Sequence, residues 1–162
     1  MSAVPAPLPQ INAFATLLGT LLGQRPKVTK GAMLVANKLH TVATYIDDES
    51  KHVYAAVADV AFVAGAGAAL ALIPARMVQE CIKSGSASET MTENTYEVLN
   101  IGASLFNEIE NTKLHVKIDR MDIHEKLTKE LVSQIARPTA RLDLVVGITG
   151  YPDAKISLLA LT

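Results

Sequence analysis

Apolar and polar positions follow two different periods along this chain. In the stretch directly after the first ten residues, apolar side chains recur three and four residues apart, which is the period of an α-helix. Asn12 can cap this helix at its start, and Gly23 stands near its end. The apolar residues that carry the period are Phe14, Leu17, Leu18, Leu21 and Leu22.

The residues that follow favour strands. Residues 39–46 are rich in strand formers, and the turn sequence "DDES" at Asp47–Ser50 separates them from "HVYAAVADVAFV". This pattern predicts a hairpin. Gly65 and Gly67 then allow another reversal into "AALALI", so we expect three consecutive strands here, preceded by a connection or short strand at "RPKVTKGAML".

Helices dominate the pattern after these strands. Pro74 suits the first position of a helix that ends near Ser84, before Gly85. Ser88 can cap a long helix from Glu89 to about Glu110. The remaining predicted elements are a strand at 113–118, a short helix within "HEKLTKELVSQIA" that ends at Pro138, and a closing hairpin of "RLDLVVGITG" and "KISLLAL" around the turn "YPDA".

The order of these elements predicts the fold class. Successive strands joined by tight turns run antiparallel. We therefore expect an α/β (α+β) fold, in which long helices pack on a largely antiparallel sheet. The 162 residues are enough for one domain, and 49% of them are apolar and 19% charged. We expect a single domain at 11–162 after a flexible N-terminal tail at 1–10, where Pro5, Pro7 and Pro9 oppose regular structure.

Charge and cysteine content narrow the functional classes. Fifteen Lys and Arg against sixteen Asp and Glu give a net charge of -1, and no basic run is present, so nucleic acid is not an expected partner. Cys81 is the single cysteine and cannot form an intramolecular disulfide, and the first residues lack an export signal. These features predict that the protein is located in the cytoplasm. The uncharged run at 60–75 is shorter than the ~20 residues that span a bilayer, so no membrane insertion is expected.

Three features that resemble functional motifs are better explained as structure. "GAGAAL" at Gly65–Leu70 leads into another strand-like run and not into a helix, so a turn is favoured over a dinucleotide-binding loop. The four histidines lack metal-ligand spacing, so no metal site is expected. Cys81 has no histidine nearby and reads as a small buried side chain.

The predicted long helix has two distinct faces. At 100° per residue, its apolar face accounts for docking on the sheet, and its polar face is typical of exposure to solvent. The apolar face comprises Val98, Leu99, Leu105, Phe106 and Ile109. The polar face comprises Glu93, Glu97, Asn100, Ser104, Asn107, Glu108 and Asn111.

The sequence around Glu97 resembles the CheX/CheC/FliY family of chemotaxis phosphatases. The family signature Glu-x-x-Asn on a long helix is similar to Glu97-Val98-Leu99-Asn100, followed by "IGASLFN". The opening "INAFATLLGTLLG" with "VTKG", and the later "LALIPARMVQECIKSG", resemble the elements that lead to the motif helix in CheX. The likeness runs from about Gln10 to Leu161, and the single motif matches CheX better than CheC, which has two.

The resemblance implies a function and a partner. The substrate would be the phosphoaspartate of a CheY-like response regulator, the receiver domain of two-component signalling. Glu97 would contact the regulator's active-site lysine, and Asn100 would hold a water in line with the phosphorus. Glu93, Ser104 and Asn107 would contact the partner. This chain would bind no cofactor, because Mg²⁺ belongs to the receiver, and it would form a homodimer, with strands such as "HVYAAVADV" available to add to a partner's sheet.

Two alternatives keep the same fold. One is a signalling adaptor that binds a receiver without catalysis, and the other is a structural component similar to a flagellar switch protein. The intact Glu97 and Asn100 favour the phosphatase. The absence of the family's usual proline between the motif helix and Pro138 favours the adaptor.

Overall fold

The computed structural model describes residues 4–162, which contain six strands and six α-helices. The strands are β1 (Lys27–Lys30), β2 (Thr41–Ile46), β3 (His52–Ala58), β4 (Lys117–Ile123), β5 (Ala140–Gly147) and β6 (Ala154–Ala160). The helices are α1 (Ile11–Leu22), α2 (Val60–Ala71), α3 (Ala75–Ser84), α4 (Glu89–Ile101), α5 (Ala103–Asn107) and α6 (Lys129–Ala136), with a 3₁₀ turn at His124–Lys126.

All six strands belong to one antiparallel sheet, in the order β1-β5-β6-β3-β2-β4. The predicted fold class is thus confirmed, as are the hairpin β2–β3 around Asp47–Ser50 and the hairpin β5–β6. β3 lies inside the sheet, paired with β2 on one side and β6 on the other. It therefore has no free edge to offer a second chain, and the expectation that this strand would extend a partner's sheet is wrong.

The main core lies between one face of the sheet and the layer formed by α1, α2, α4 and α5. Tyr45 and Tyr54 project from β2 and β3 into this core and contact Phe106 of α5. A smaller apolar cluster, with Val42, Val57 and Ile135, covers the other face of the sheet beneath α6 and residues 31–39. The helices on the first face are the ones that carry the predicted site.

The uncharged run at 60–75 is not two strands around a turn, because Val60–Ala71 form α2. Asp59 caps this helix by accepting a hydrogen bond from the Phe62 N–H at 2.8 Å. Residues 62–69 are buried, since the helix is enclosed by the sheet and other helices. A helix that is buried on all sides has no polar face, so its sequence lacks the helical period. "GAGAAL" is therefore the interior of a helix, and the turn expected there is wrong.

The single long helix predicted at 89–110 is divided in two. α4 ends at Ile101, and α5 begins one residue later, after Gly102. Asn107 then binds the backbone of Val116, with its amide accepting from the Val116 N–H at 2.8 Å and donating to the Val116 carbonyl at 2.9 Å. These bonds hold residues 108–116 as a loop, so the strand expected at 113–118 begins later, as β4.

Several predicted helix ends agree with the structure. Gly23 and Gly85 end α1 and α3 with positive φ angles of 75° and 79°, and Ser88 caps α4 by accepting from the Met91 N–H. The starts of two helices differ from the prediction. Gln10, and not Asn12, is the N-cap residue of α1, and Pro74 is the N-cap residue of α3 and not its first helical residue.

Residues 4–10 have no regular secondary structure and nevertheless pack on the domain. Ala6 and Pro9 are buried, and the Ala6 N–H donates to the Thr162 carbonyl at 2.8 Å. The flexible tail expected at 1–10 therefore remains an expectation only for residues 1–3, which lie outside the described residues. Within residues 4–162, no helix combines the length and the hydropathy needed to cross a bilayer.

Candidate functional site

Glu97 and Asn100 lie on the solvent-exposed side of α4, about one turn apart. The opposite side of the helix is buried, with Val98 and Leu99 in the main core. Among residues 4–162, neither the Glu97 carboxylate nor the Asn100 amide forms a side-chain hydrogen bond or ion pair. Both side chains are therefore available to a molecule that approaches this face.

The position of α4 is fixed by close contact with α2. A Cβ placed on Gly67 would lie 2.1 Å from the Met91 carbonyl oxygen, so the two backbones approach more closely than any larger residue permits. Next to this contact, the buried Thr95 hydroxyl donates to the Val63 carbonyl at 2.6 Å, and the Asn94 amide donates to the Gly67 carbonyl at 3.1 Å. The exposed pair thus stands on a helix with little freedom to move.

The residues predicted to contact a partner occupy different settings. Glu93 is exposed on α4, one turn before Glu97. Ser104 is half-buried on α5, beyond the break at Gly102. Asn107 uses both ends of its amide on Val116, so it shapes the loop after α5.

Ile101 is a residue of this face that the sequence reasoning missed. Its side chain is 45% exposed, directly after Asn100. At 100° per residue it falls about 40° from Glu97, within the polar side of the helix. An apolar residue at such a position is the signal that could have identified it, because exposed apolar groups next to polar ones are common at interfaces.

A groove of about 700 Å³ runs beside this face, between α1 and α5. Leu17, Leu105 and Ile109 provide much of its apolar lining, and Glu108 and Glu110 lie at its border. Ser104 also lines it, so the groove adjoins the helix pair α4–α5 that carries the predicted site.

The charge of this region differs from that of the rest of the chain. Residues 84–112 contain five glutamates and no Lys, Arg or His, whereas the remaining residues contain fifteen basic and eleven acidic ones. The segment formed by α4 and α5 is therefore acidic on a protein that is nearly neutral. Such a surface favours a partner with a basic face.

Burial lowers the pKa of His40 and raises that of Asp59, which caps α2. Within residues 4–162, no three His, Cys, Asp or Glu side chains are grouped closely enough to hold a metal ion. What the exposed pair offers is a carboxylate for a cation and an amide that can both donate and accept a hydrogen bond.

Comparison with known proteins gives matches in structure alone. Neither a scan against protein-family models nor a search of curated proteins gives a match. The FliM middle domain from H. pylori matches with a TM-score of 0.63 and 6% identity, over 93% of this chain and 84% of that one. FliY from Thermotoga maritima matches with a TM-score of 0.58 and 14% identity, over 93% and 83%.

The third structure is the complex of CheX, CheY, BeF3 and Mg²⁺ from Borrelia burgdorferi. One of its chains matches with a TM-score of 0.56 and 13% identity, over 92% of this chain and 93% of that one. At these identities the likeness concerns the fold, which agrees with the resemblance first noted in the sequence. The protein has the fold shared by CheX, FliY and the FliM middle domain.

Proposed function

We propose that this protein binds the phosphorylated receiver domain of a CheY-like response regulator in the cytoplasm and hydrolyses its phosphoaspartate. The observation that carries the proposal is the Glu97 and Asn100 pair, which is exposed, forms no side-chain hydrogen bond or ion pair within residues 4–162, and stands on a helix packed tightly against α2. The fold shared with a chain of the CheX and CheY complex supports this choice of partner.

The proposed chemistry requires orientation more than acid or base strength. An acyl phosphate is reactive, so a water held in line with the phosphorus can attack as the aspartate carboxylate leaves. The Asn100 amide would orient that water through its donor and acceptor atoms, which remain uncharged at all physiological pH values. Holding reactants in line can account for a large share of a rate enhancement.

Glu97 would act mainly in binding. Its carboxylate would pair with the lysine of the receiver's active site, and Glu93 and Ser104 would contact the receiver beside it. Mg²⁺ bound to the receiver would neutralise charge that develops on the phosphoryl group. The acidic character of residues 84–112 supports a partner that presents lysine at the contact.

A second candidate is a structural or adaptor role without catalysis. The FliM middle domain matches with a higher TM-score, 0.63, than the chain of the CheX and CheY complex, 0.56. The groove between α1 and α5 offers a docking surface that does not require Glu97 or Asn100. In this role the protein would bind a receiver or another partner and leave the phosphoaspartate intact.

Phosphoaspartate decay distinguishes the two candidates. A panel of phosphorylated receiver domains from the same organism is followed alone, with wild type, with Asn100→Ala and with Glu97→Ala. We expect wild type to accelerate decay on at least one receiver, and Asn100→Ala to return it close to the spontaneous rate while binding persists, because only transition-state positioning is lost. Glu97→Ala should also weaken binding, because it removes the proposed ion pair.

Folding serves as the control in this experiment. Both side chains are exposed, and substitutions of exposed residues usually change the free energy of unfolding by no more than about 0.5 kcal/mol. Unchanged melting temperatures would therefore assign any loss of activity to the site. Equal decay with wild type, with Asn100→Ala and with no added protein would rule out the phosphatase, and retained receiver binding would then favour the adaptor.

A further inference from the structure

Tyr45 connects the sheet to the end of the motif helix. It projects from β2 into the main core, where only 1% of its surface is exposed, and its hydroxyl donates to the Leu99 carbonyl oxygen at 2.7 Å. Its ring also meets Phe106 of α5 edge to face, with 5.0 Å between the ring centroids. One side chain thus contacts the helices on both sides of the break at Gly102.

The carbonyl that Tyr45 binds belongs to the same planar peptide group as the Asn100 nitrogen. A hydrogen bond to this carbonyl therefore restrains the backbone from which the Asn100 side chain projects. The last four carbonyls of an α-helix lack regular partners within it, and Leu99 is one of these residues in α4. Gly102 packs closely here, since a Cβ on it would lie 3.1 Å from the Leu99 carbonyl oxygen.

We propose that the Tyr45 hydroxyl is a positioning group for Asn100. By its hydrogen bond to Leu99, the hydroxyl holds the last turn of α4 in the orientation that phosphoaspartate hydrolysis requires. This inference rests on the proposed function. Burial raises the pKa of Tyr45, so the hydroxyl stays protonated and remains a donor at physiological pH. Tyr45 does not itself reach the exposed face of α4, so its effect on the reaction passes through the backbone.

Tyr54 provides a matched control in the same aromatic cluster. It is also fully buried, and its hydroxyl donates to a backbone carbonyl at 2.6 Å, that of Pro7. Its ring stacks on Phe106 at 4.1 Å between centroids. Tyr45→Phe and Tyr54→Phe each remove one buried hydroxyl and one hydrogen bond to a backbone carbonyl, but only Tyr45→Phe releases α4.

The experiment measures backbone protection and catalysis in both variants. Amide hydrogen exchange at Asn100, Ile101 and Gly102 should become several times faster in Tyr45→Phe and stay at the wild-type rate in Tyr54→Phe. The maximal rate of receiver dephosphorylation should fall about threefold to tenfold in Tyr45→Phe, since small misplacements of a positioned group lower rates steeply. The receiver concentration at half-maximal rate should not change, and the two melting temperatures should fall by similar amounts.

Each outcome decides the proposal. Equal losses of maximal rate in Tyr45→Phe and Tyr54→Phe would overturn it, because a general loss of stability would then explain both. A wild-type rate in Tyr45→Phe while Asn100→Ala is inactive would also overturn it. If wild type itself shows no phosphatase activity, the proposed function fails, and the exchange rates still decide whether Tyr45 holds this turn: equal exchange in both variants would show that it does not.

Discussion

Two glycines in α2 have the same local sequence context and opposite surroundings. A Cβ on Gly65 would meet nothing within 4 Å, whereas a Cβ on Gly67 would lie 2.1 Å from the Met91 carbonyl oxygen. Gly67 is thus the residue that lets α4 approach α2, and Gly65 is simply a helical residue without a side chain. The difference comes from the backbone of α4, which lies more than twenty positions away in the sequence.

The two glycines therefore predict opposite effects of alanine. Gly65→Ala should raise the free energy of unfolding by about 0.5–1 kcal/mol, because alanine is the better helix former and the space is open. Gly67→Ala should lower it by about 3 kcal/mol or more, because the contact is with backbone that can only move as a whole. Urea denaturation of both variants measures these values. A Gly67→Ala variant as stable as wild type would show that α2 and α4 can separate without cost.

The sequence predicts the exposed pair on α4 better than it predicts the contacts that hold α4 in place. The exposure of Glu97 and Asn100 follows from a period of 3.6 residues within one helix, so the pattern alone predicts it. The contacts that hold α4, from Gly67, Val63 and Tyr45, come from other elements and have no local signal. A sequence shows which side of a helix faces solvent, but not what the other side touches.

Among the elements, α2 is a helix that the sequence pattern does not predict. Its residues 62–69 are buried on all sides, so the helix carries no polar stripe and its two glycines resemble a turn. Helix α1, which has one exposed face, is predicted by its period, and the hairpin β2–β3, which is buried on both faces, is predicted by its strand-forming residues and its turn at Asp47–Ser50. The sequence predicts a connection or short strand at 25–34 and a strand from Leu39, whereas β1 ends at Lys30 and β2 begins at Thr41. Polar contacts at Leu34 help to hold the irregular segment 31–39 on the second face of the sheet, and such contacts leave no repeating pattern in the sequence.

Asp143 is the centre of those polar contacts. Its carboxylate accepts from the Arg141 guanidinium at 2.9 Å, from the Ser157 hydroxyl, and from the Leu34 N–H at 3.3 Å. Arg141 also donates to the Leu34 carbonyl at 3.1 Å. Burial alone would raise the pKa of Asp143, but the hydrogen bonds together with the Arg141 charge hold it below its ordinary value.

The lowered pKa of Asp143 predicts a dependence of stability on pH. The carboxylate stabilises the fold above the unfolded-state pKa of about 3.9, and this contribution is lost as the pH falls below that value through the folded-state pKa. Asp143→Asn should therefore lower the free energy of unfolding by about 1.5–3 kcal/mol at pH 7, and by less at pH 3. Urea denaturation at both pH values measures the difference, with Glu49→Gln in the exposed β2–β3 turn as the control. An equal loss at both pH values would contradict the assignment.

For the whole molecule, the arrangement of the sheet determines where a second copy could attach. β3 is interior, and among the strands that residues 4–162 form, only β1 and β4 have one unpaired side. β4 has seven residues and β1 has four, and a longer edge exposes more free N–H and carbonyl groups. If the homodimer forms by sheet extension, β4 is therefore the strand we expect at its interface.

The homodimer remains a prediction that light scattering can check. At micromolar concentration we expect a mass twice the 17.3 kDa of one chain. A mass near 17.3 kDa throughout that range would contradict the dimer and would leave the proposed phosphatase unaffected, because Glu97 and Asn100 lie on the helical layer and not at the edge of the sheet. A mass that rises with concentration would indicate a weak dimer.

The position of the β5–β6 hairpin has a consequence for how the chain folds. It is inserted between β1 and β3, with Lys27 opposite Gly147 and Tyr54 opposite Ala160. The centre of the sheet therefore closes only after β6 has been synthesised, more than ninety positions after β3, and such long-range pairing makes folding slow. Until then, one side of the apolar strand β3 stays unpaired and can associate with other nascent chains. The middle of this sheet, which is its most protected part once folded, is the part most exposed to aggregation during synthesis.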